Sequence, residues 1–237
     1  MLYIIGLGLN KNGISREGFE IVKRAKKVYL ENYTVDFPYS VGELSQELDK
    51  KIVEANREFV EGLGIIDEAK KRDVVLLVYG SPLTATTHIT LLQEAKSSRV
   101  KVKIIYAGSI FDAVAKTGLQ IYKFGKITSM PYWKENFTPD SFMKTVQENM
   151  SMRAHSLILI DIGLEFKDAI KELKIAAKNN KIKLKELVIC QCLGTKKQKI
   201  KFGNIEDLEN LFIIKPYCLI IPSKLHFVEK EVLEGFK

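Results

Sequence analysis

Residues 73–88 read D-V-V-L-L-V-Y-G-S-P-L-T-A-T-T-H, and the fold class turns on this stretch. Val74 to Tyr79 is an unbroken apolar run, as a strand buried on both faces of a parallel sheet requires. Gly80-Ser81-Pro82 then turns the chain: Gly80 permits torsions a side chain forbids, and Pro82 fixes its own. Thr84, Ala85, Thr86 and Thr87 are small or hydroxylated, and Ile89, Leu91, Leu92 and Ala95 take up helical spacing. The pattern is strand, tight turn, helix N-terminus. Open α/β sheets bind ligands at such strand ends. The plain alternative is a helix cap, with Thr86 or Thr87 satisfying free amides, and one turn can serve both purposes.

The rest of the chain supplies more units of this kind. Residues 2–9, L-Y-I-I-G-L-G-L, read as a first buried strand ending in a Gly-x-Gly turn. A dinucleotide fingerprint needs a third glycine where Lys11 stands, so that motif fails. Ser15 caps a helix carrying Phe19, Ile21, Val22 and Ala25. Lys27–Leu30 is a short strand ending at Glu31, a position that holds a ribose hydroxyl in some nucleotide-binding folds and is otherwise an exposed edge carboxylate. Residues 32–50 read as a loop with one short helix, 51–53 as a weak strand and 58–71 as a helix. Residues 100–106 form another strand, followed by the small turn Ala107-Gly108-Ser109-Ile110. Gly6, Gly80 and Gly108 thus end three strands alike, which suggests a ligand cleft along one sheet edge.

Residues 117–133 are rich in glycine and aromatics without a long helical pattern, and mark a boundary between domains at 1–115 and 116–237. Beyond them, helices are expected over 139–152, 165–178 and from Phe227. Strands are expected at 157–161, 187–193, 199–202 and 217–221.

Composition narrows the classes. At 237 residues, with 46% apolar and 28% charged, the chain has the makings of a full core. The net charge of +8 comes mainly from lysine. Lys171–Lys185 alternates with Ile, Leu and Ala at helical spacing, which reads as a solvated helix face. No interleaved aromatics accompany it, so nucleic acid is not the expected partner. The apolar start at residues 2–5, with no basic segment before it, reads as a strand and not a signal peptide. No apolar run approaches a membrane span. Cys190, Cys192 and Cys218 form no disulfide framework or zinc motif. Cys190 and Cys192, two apart, should share one strand face, and all three read as reduced core residues of a cytoplasmic protein.

Six segments carry a resemblance: I-G-L-G-L at 5–9, G-S-P-L-T-A-T-T-H at 80–88, G-S-I at 108–110, T-G-L-Q-I-Y-K-F-G-K at 117–126, L-I-D-I at 159–162 and P-S-K-L-H-F-V-E at 222–229. Together they resemble the tetrapyrrole-methylase-like class of S-adenosylmethionine-dependent methyltransferases. The segments at 117–126 and 222–229 are similar to those of its diphthine synthase family. The resemblance implies two α/β domains with the cofactor in the cleft between them, within a homodimer. It implies S-adenosylmethionine contacts from Leu9, Ser81, Thr84, Ser109, Ile110, Ile160, Leu193 and His226. It further implies methylation of the amino group of a modified histidine on elongation factor 2, in diphthamide synthesis. No catalytic base is named by any motif, and no metal is implied. One departure stands out: the family usually has aspartate where this chain has Ser81, which keeps a hydrogen-bonding oxygen but lacks a negative charge to set against the cofactor's cationic groups. A tetrapyrrole or RNA substrate within the class, or a non-catalytic S-adenosylmethionine-binding protein, are the alternatives.

Overall fold

Every residue of β4 (Val74–Val78) is wholly buried, because its side chains serve two cores. Val74, Leu76 and Val78 enter one apolar cluster, Val75 and Leu77 another, which is the two-residue period of a strand. A strand covered on both faces has no polar side to alternate with. The computed structural model describes residues 1–237 and divides into two units, Met1–Asp112 and Ala113–Lys237.

The first unit runs β1 (Leu2–Gly6), α1 (Arg16–Arg24), β2 (Lys27–Glu31), α2 (Val41–Glu47), β3 (Val53–Ala55), α3 (Arg57–Glu61), α4 (Gly64–Lys71), β4, α5 (Ile89–Ser97), β5 (Val102–Ile105) and α6 (Ile110–Ala113). Its sheet is parallel throughout, in the order β3-β2-β4-β1-β5. Ile21 and Val22 of α1 and Leu44 of α2 cover one face. Val60 of α3, Ile65 and Ala69 of α4, and Leu91 and Ala95 of α5 cover the other. Ser15 caps α1 as expected, accepting from the Gly18 amide at 3.1 Å.

Two sequence expectations shift here. The helix expected over 58–71 is two helices, because Gly62 ends α3 and Leu63 takes φ 73°, a left-handed torsion no helix can continue through. The weak strand expected at 51–53 lies at Val53–Ala55, set by its pairing with β2 (Tyr29 opposite Val53, Glu31 opposite Ala55) and not by the local apolar run.

The second unit comprises β6 (Thr128–Met130), α7 (Ser141–Ser151), β7 (Ser156–Ile160), α8 (Phe166–Asn179), β8 (Glu186–Gln191), β9 (Lys199–Asn204), α9 (Ile205–Leu208), β10 (Tyr217–Ile221) and α10 (Phe227–Glu234). The sheet order is β6-β7-β10-β8-β9, parallel only between β6 and β7. Phe142, Met143 and Val146 of α7 and Ala169, Ile170 and Leu173 of α8 bury one face, while Lys167, Lys171 and Lys178 of α8 stay exposed. Cys190 and Cys192 do not share a strand face: Cys192 lies past β8 with φ 45°, off the pleat. Cys190 instead faces Cys218 across the β8–β10 ladder, and all three thiols are buried and free.

A buried carboxylate holds this unit's flank. Glu229, on α10, is wholly buried. It accepts from the Gln120 amide (2.9 Å), the His226 amide (2.7 Å), Lys123 Nζ and the His155 ring at 3.2 Å. Nearby, Gly118 takes φ 83° with the side chain of Val232 on α10 against it, leaving no room for a Cβ. Segments 117–126 and 222–229 are thereby one assembly. Burial alone would raise the Glu229 pKa, but its hydrogen bonds outweigh that and hold it at about 2.

Glu229→Ala strands Lys123 and His155, and should cost about 3–5 kcal/mol, as when one partner of a buried pair is removed. The check is the urea midpoint of the full chain. Because the folded pKa lies below the ordinary 4.5, the Glu229 contribution is complete above that pH and is lost as pH falls toward 2. The gap between wild type and variant should therefore narrow on the acid side.

Candidate active site at the strand ends

Gly6 has no room for a side chain. A Cβ built there would sit 2.6 Å from the Gly80 carbonyl oxygen, 2.7 Å from Pro82 Cδ and 3.0 Å from Ala107 Cβ. The carboxyl ends of β1, β4 and β5 therefore meet at backbone distance. Past them, Gly8 (φ 66°) and Gly80 (φ 71°) exchange amide hydrogen bonds of 3.1 and 3.0 Å, which ties the first turn to the second. Tyr79 Oη adds a bond to the Leu9 carbonyl at 3.1 Å. The chain leaves β1 for α1 on one face of the sheet and leaves neighbouring β4 for α5 on the other. Adjacent strands whose connections part in this way open a crevice between them, the usual ligand position of an open α/β sheet.

Five of the sequence-predicted residues lie on this edge. Leu9 follows Gly8 and is half-buried, as are Ser81 and Thr84. Thr84 donates its amide to the Ser81 carbonyl at 3.3 Å. It stands between Leu83 (φ 63°) and Ala85 (φ 54°), two side-chain-bearing residues in left-handed torsions, the kind of strain that collects at functional loops. Ser109 is buried, and its amide and hydroxyl both donate to Asp112 Oδ2, at 2.7 and 3.1 Å, at the start of α6 beside Ile110. A Cβ at Gly108 would meet nothing within 4 Å, so the backbone beside Ser109 faces open space.

The other three belong to the second unit and divide between the ends of its sheet. Ile160 ends β7 and Leu193 follows β8; these strands run the same way on either side of β10. His226 lies beyond the opposite end of β10, near the start of β7, where Ser223 donates to His155 Nδ1. It is exposed, stacks on Phe227 with centroids 4.3 Å apart, and caps α10.

Of the two threonines expected to satisfy free amides, Thr86 does so with a long bond, its Oγ1 accepting from the His88 amide at 3.4 Å at the start of α5. His88 is its N-cap and offers no side-chain bond, while Thr87 Oγ1 donates to Glu61 Oε1 at 2.7 Å. His88 itself is buried, with neither ring nitrogen hydrogen-bonded and Nε2 3.9 Å from Glu31 Oε2. Glu31 is not an exposed edge carboxylate: it is wholly buried and accepts from the amides of Tyr33 and Thr34 and from Thr34 Oγ1, each at 2.9 Å. Burial raises the Glu31 pKa against those hydrogen bonds and lowers that of His88. The Glu31–His88 pair escaped the sequence reading, since neither residue sits in a pattern that signals burial. Glu229 had a faint signal, the capping spacing from His226.

Residues 1–209 match the family model for tetrapyrrole (corrin/porphyrin) methylases. The chain belongs to that methylase family. A curated relative, the diphthine synthase of Methanocaldococcus jannaschii, is 38% identical over 99% of this methylase and 98% of its own length. Another, named "Probable diphthine methyl ester synthase", from Arabidopsis thaliana, is 36% identical over 100% and 98%. A solved structure titled "Crystal structure of putative diphthine synthase from Entamoeba histolytica" superposes with a TM-score of 0.91 at 31% identity, covering 100% of this methylase and 98% of that chain. A second, titled "Crystal structure of diphthine synthase", superposes with a TM-score of 0.88 at 31% identity, over 99% and 95%. The parallel sheet and the mixed sheet described above are thus those of the methylase fold.

His88 supplies a test of the buried pair at the edge. Its folded pKa lies below the ordinary 6.5, so stability is full above that value and declines as pH falls below it, by at most about 1.4 kcal/mol per pH unit for one proton. Denaturant midpoints measured from pH 7.5 to pH 5, values chosen to bracket roughly the histidine range, should fall more steeply for wild type than for His88→Gln. Parallel profiles would show that His88 titrates freely in the fold.

Proposed function

We propose that this methylase is a diphthine synthase, transferring methyl groups from S-adenosylmethionine to the modified histidine side chain of elongation factor 2 in diphthamide biosynthesis. The observation that carries the reading is end-to-end similarity to relatives of that name, at 38% identity in one case, in a chain whose β1–β4 edge has the switch-point geometry of a ligand crevice. A protein substrate, a homodimeric enzyme and a cytoplasmic setting belong to the same proposal.

The first-unit edge fits the cofactor in one physical respect. Glycine backbone at Gly80 and Gly108 permits close approach, and open space adjoins Gly108, whereas Gly8 is packed against the Gly13 backbone. In the proposal Leu9, Ser81, Thr84, Ser109 and Ile110 hold S-adenosylmethionine from this unit, and Ile160, Leu193 and His226 from the second. The bound cofactor supplies a sulfonium methyl that is already activated for displacement. What the chain must add is alignment and exclusion of water. Tyr79 and the paired Gly8–Gly80 amides contribute to alignment by fixing the two turns relative to each other. The substrate amine attacks only when unprotonated, and a site poor in charge disfavours the ammonium.

The Arabidopsis relative's name favours a second reading, transfer to a carboxylate to give a methyl ester. Incubation with elongation factor 2 bearing the unmethylated intermediate, followed by mass analysis before and after mild alkali, separates the two. Methyl groups that survive alkali are on nitrogen; those lost are esters. No methylation of that substrate would overturn the proposal.

Ser81 provides a sharper test of the cofactor contact. If it stands at a position facing the sulfonium, Ser81→Asp should tighten S-adenosylmethionine binding, by about 1.5–3 kcal/mol for a good charge-assisted bond and less in a wet site. Calorimetric titration with the cofactor and with its demethylated product distinguishes the causes. Tightening of the cofactor alone assigns the contact to the sulfonium, and equal tightening of both assigns it to the amino group or ribose. Unchanged affinities would mean that another carboxylate fills the role, and Asp112, held against Ser109, is a candidate on this edge.

A further inference from the structure

Within the second unit, the segment after β6 folds over α8 and leaves an open pocket of about 250 Å³. Tyr132 and Trp133 form one wall, Asp168 and Glu172 of α8 the other, with Lys134 and Lys171 also lining it. Trp133 is fixed at both ends: its Nε1 donates to the Pro139 carbonyl at 2.9 Å and its amide to Glu172 Oε1 at 3.2 Å.

Glu172 is the unusual member. It is only 6% exposed, yet its second oxygen, Oε2, has no hydrogen-bond partner in the chain. A buried carboxylate with half its acceptor capacity unmet is costly unless something meets it. Burial raises its pKa, the Trp133 amide lowers it, and the charges of Asp168 and Asp161 raise it again. Asp161 adjoins the same wall, accepting from the Tyr132 amide at 3.2 Å. Lys134 and Lys171 are exposed, and neither forms an ion pair with these carboxylates.

Asp168 and Glu172 line the pocket with the two rings, and with Asp161 behind the Tyr132 amide they set three carboxylates against two exposed lysines, an environment for a cation. Ring faces attract positive charge, and a buried carboxylate oxygen accepts its N–H. We propose that this pocket binds an alkylammonium or guanidinium group, with Glu172 as its ion-pair partner and Tyr132 and Trp133 as its aromatic wall. The site shares no residue with the strand-end edge of the first unit and does not rest on the methyl-transfer reading. The cation comes either from a free small molecule or from a lysine or arginine of a docked protein.

The chain has a single tryptophan, so its emission reports on Trp133 directly. The full-length protein is titrated with Nα-acetyl-lysine methylamide, with the arginine analogue, and with the uncharged norleucine analogue. A saturable change with the two cations and none with norleucine is expected. Glu172→Gln keeps an oxygen for the Trp133 amide, so the wall stays in place, and should weaken binding about tenfold, the loss of one charge-assisted bond. A peptide with one lysine among uncharged residues then separates the sources. Tighter binding than the free amide marks a protein-borne cation, and equal binding a small-molecule one. An equal response to norleucine, no saturable change with either cation, or undiminished binding by Glu172→Gln would each overturn the proposal.

Discussion

The strand-end site depends on one steric constraint, the approach of β1 to the turn after β4 at Gly6. Backbone and proline atoms occupy the volume a side chain would need there. Because β1 comes this close, Gly8 and Gly80 can pair their amides, and the two turns become a single rigid edge. That edge is where α1 and α5 part to opposite faces. The constraint thus couples an element of sequence, glycine, to an element of topology, the switch in connection. An alanine at Gly6 would push the turn after β4 away from β1, because its Cβ would lie 2.6 Å from the Gly80 carbonyl oxygen.

The fold was legible where sequence pattern and burial agree. Val74–Val78 announced a strand covered on both faces, and the turns at Gly6, Gly80 and Gly108 announced a common edge, because apolar runs and glycine report directly on burial and backbone torsion. Misreadings fell where pairing or a single torsion decides. Nothing in the apolar pattern of 58–71 reveals that Leu63 takes a left-handed torsion, since leucine does so only when the surrounding packing requires it. β3 is placed by β2, not by its own residues. β6 is three residues long, and its Thr and Ser carry little strand signal. Cys192 looked like the second member of an alternating pair and lies off the strand because the chain already turns there.

The candidate site was only partly legible for a different reason. Ser81 and Ser109 follow glycine turns, which suggest a ligand edge, but their part as cofactor contacts is implied only by the family resemblance. The segments at 117–126 and 222–229, which carry the closest family resemblance, are joined in space by Glu229, and much of their chemistry is structural. Lys123, Gln120 and His226 all donate to it, and Gly118 makes room for α10. A motif that identifies a family can therefore be holding its scaffold. His226 combines both aspects: its amide closes the Glu229 assembly, while its ring is left exposed at the head of α10.

The two buried glutamate–histidine pairs show how similar residues acquire opposite characters. Glu229 and Glu31 are both wholly buried, and each has a buried histidine near it. Glu229 accepts from the His226 amide, Lys123, the Gln120 amide and a ring nitrogen at 3.2 Å, and against burial these hydrogen bonds, that of His226 foremost, bring its pKa to about 2. Glu31 accepts only from neutral donors, two amides and a hydroxyl, and its histidine stands off at 3.9 Å without a hydrogen bond. Burial then dominates, raising the carboxyl pKa and lowering that of the imidazole, so both groups are pressed toward their neutral forms. At Glu229 the amides of His226 and Gln120, the lysine and the ring together outweigh burial, whereas at Glu31 burial outweighs its three donors. One pair is locked as charge in a scaffold, and the other, at the carboxyl edge of the parallel sheet, is pressed toward neutrality.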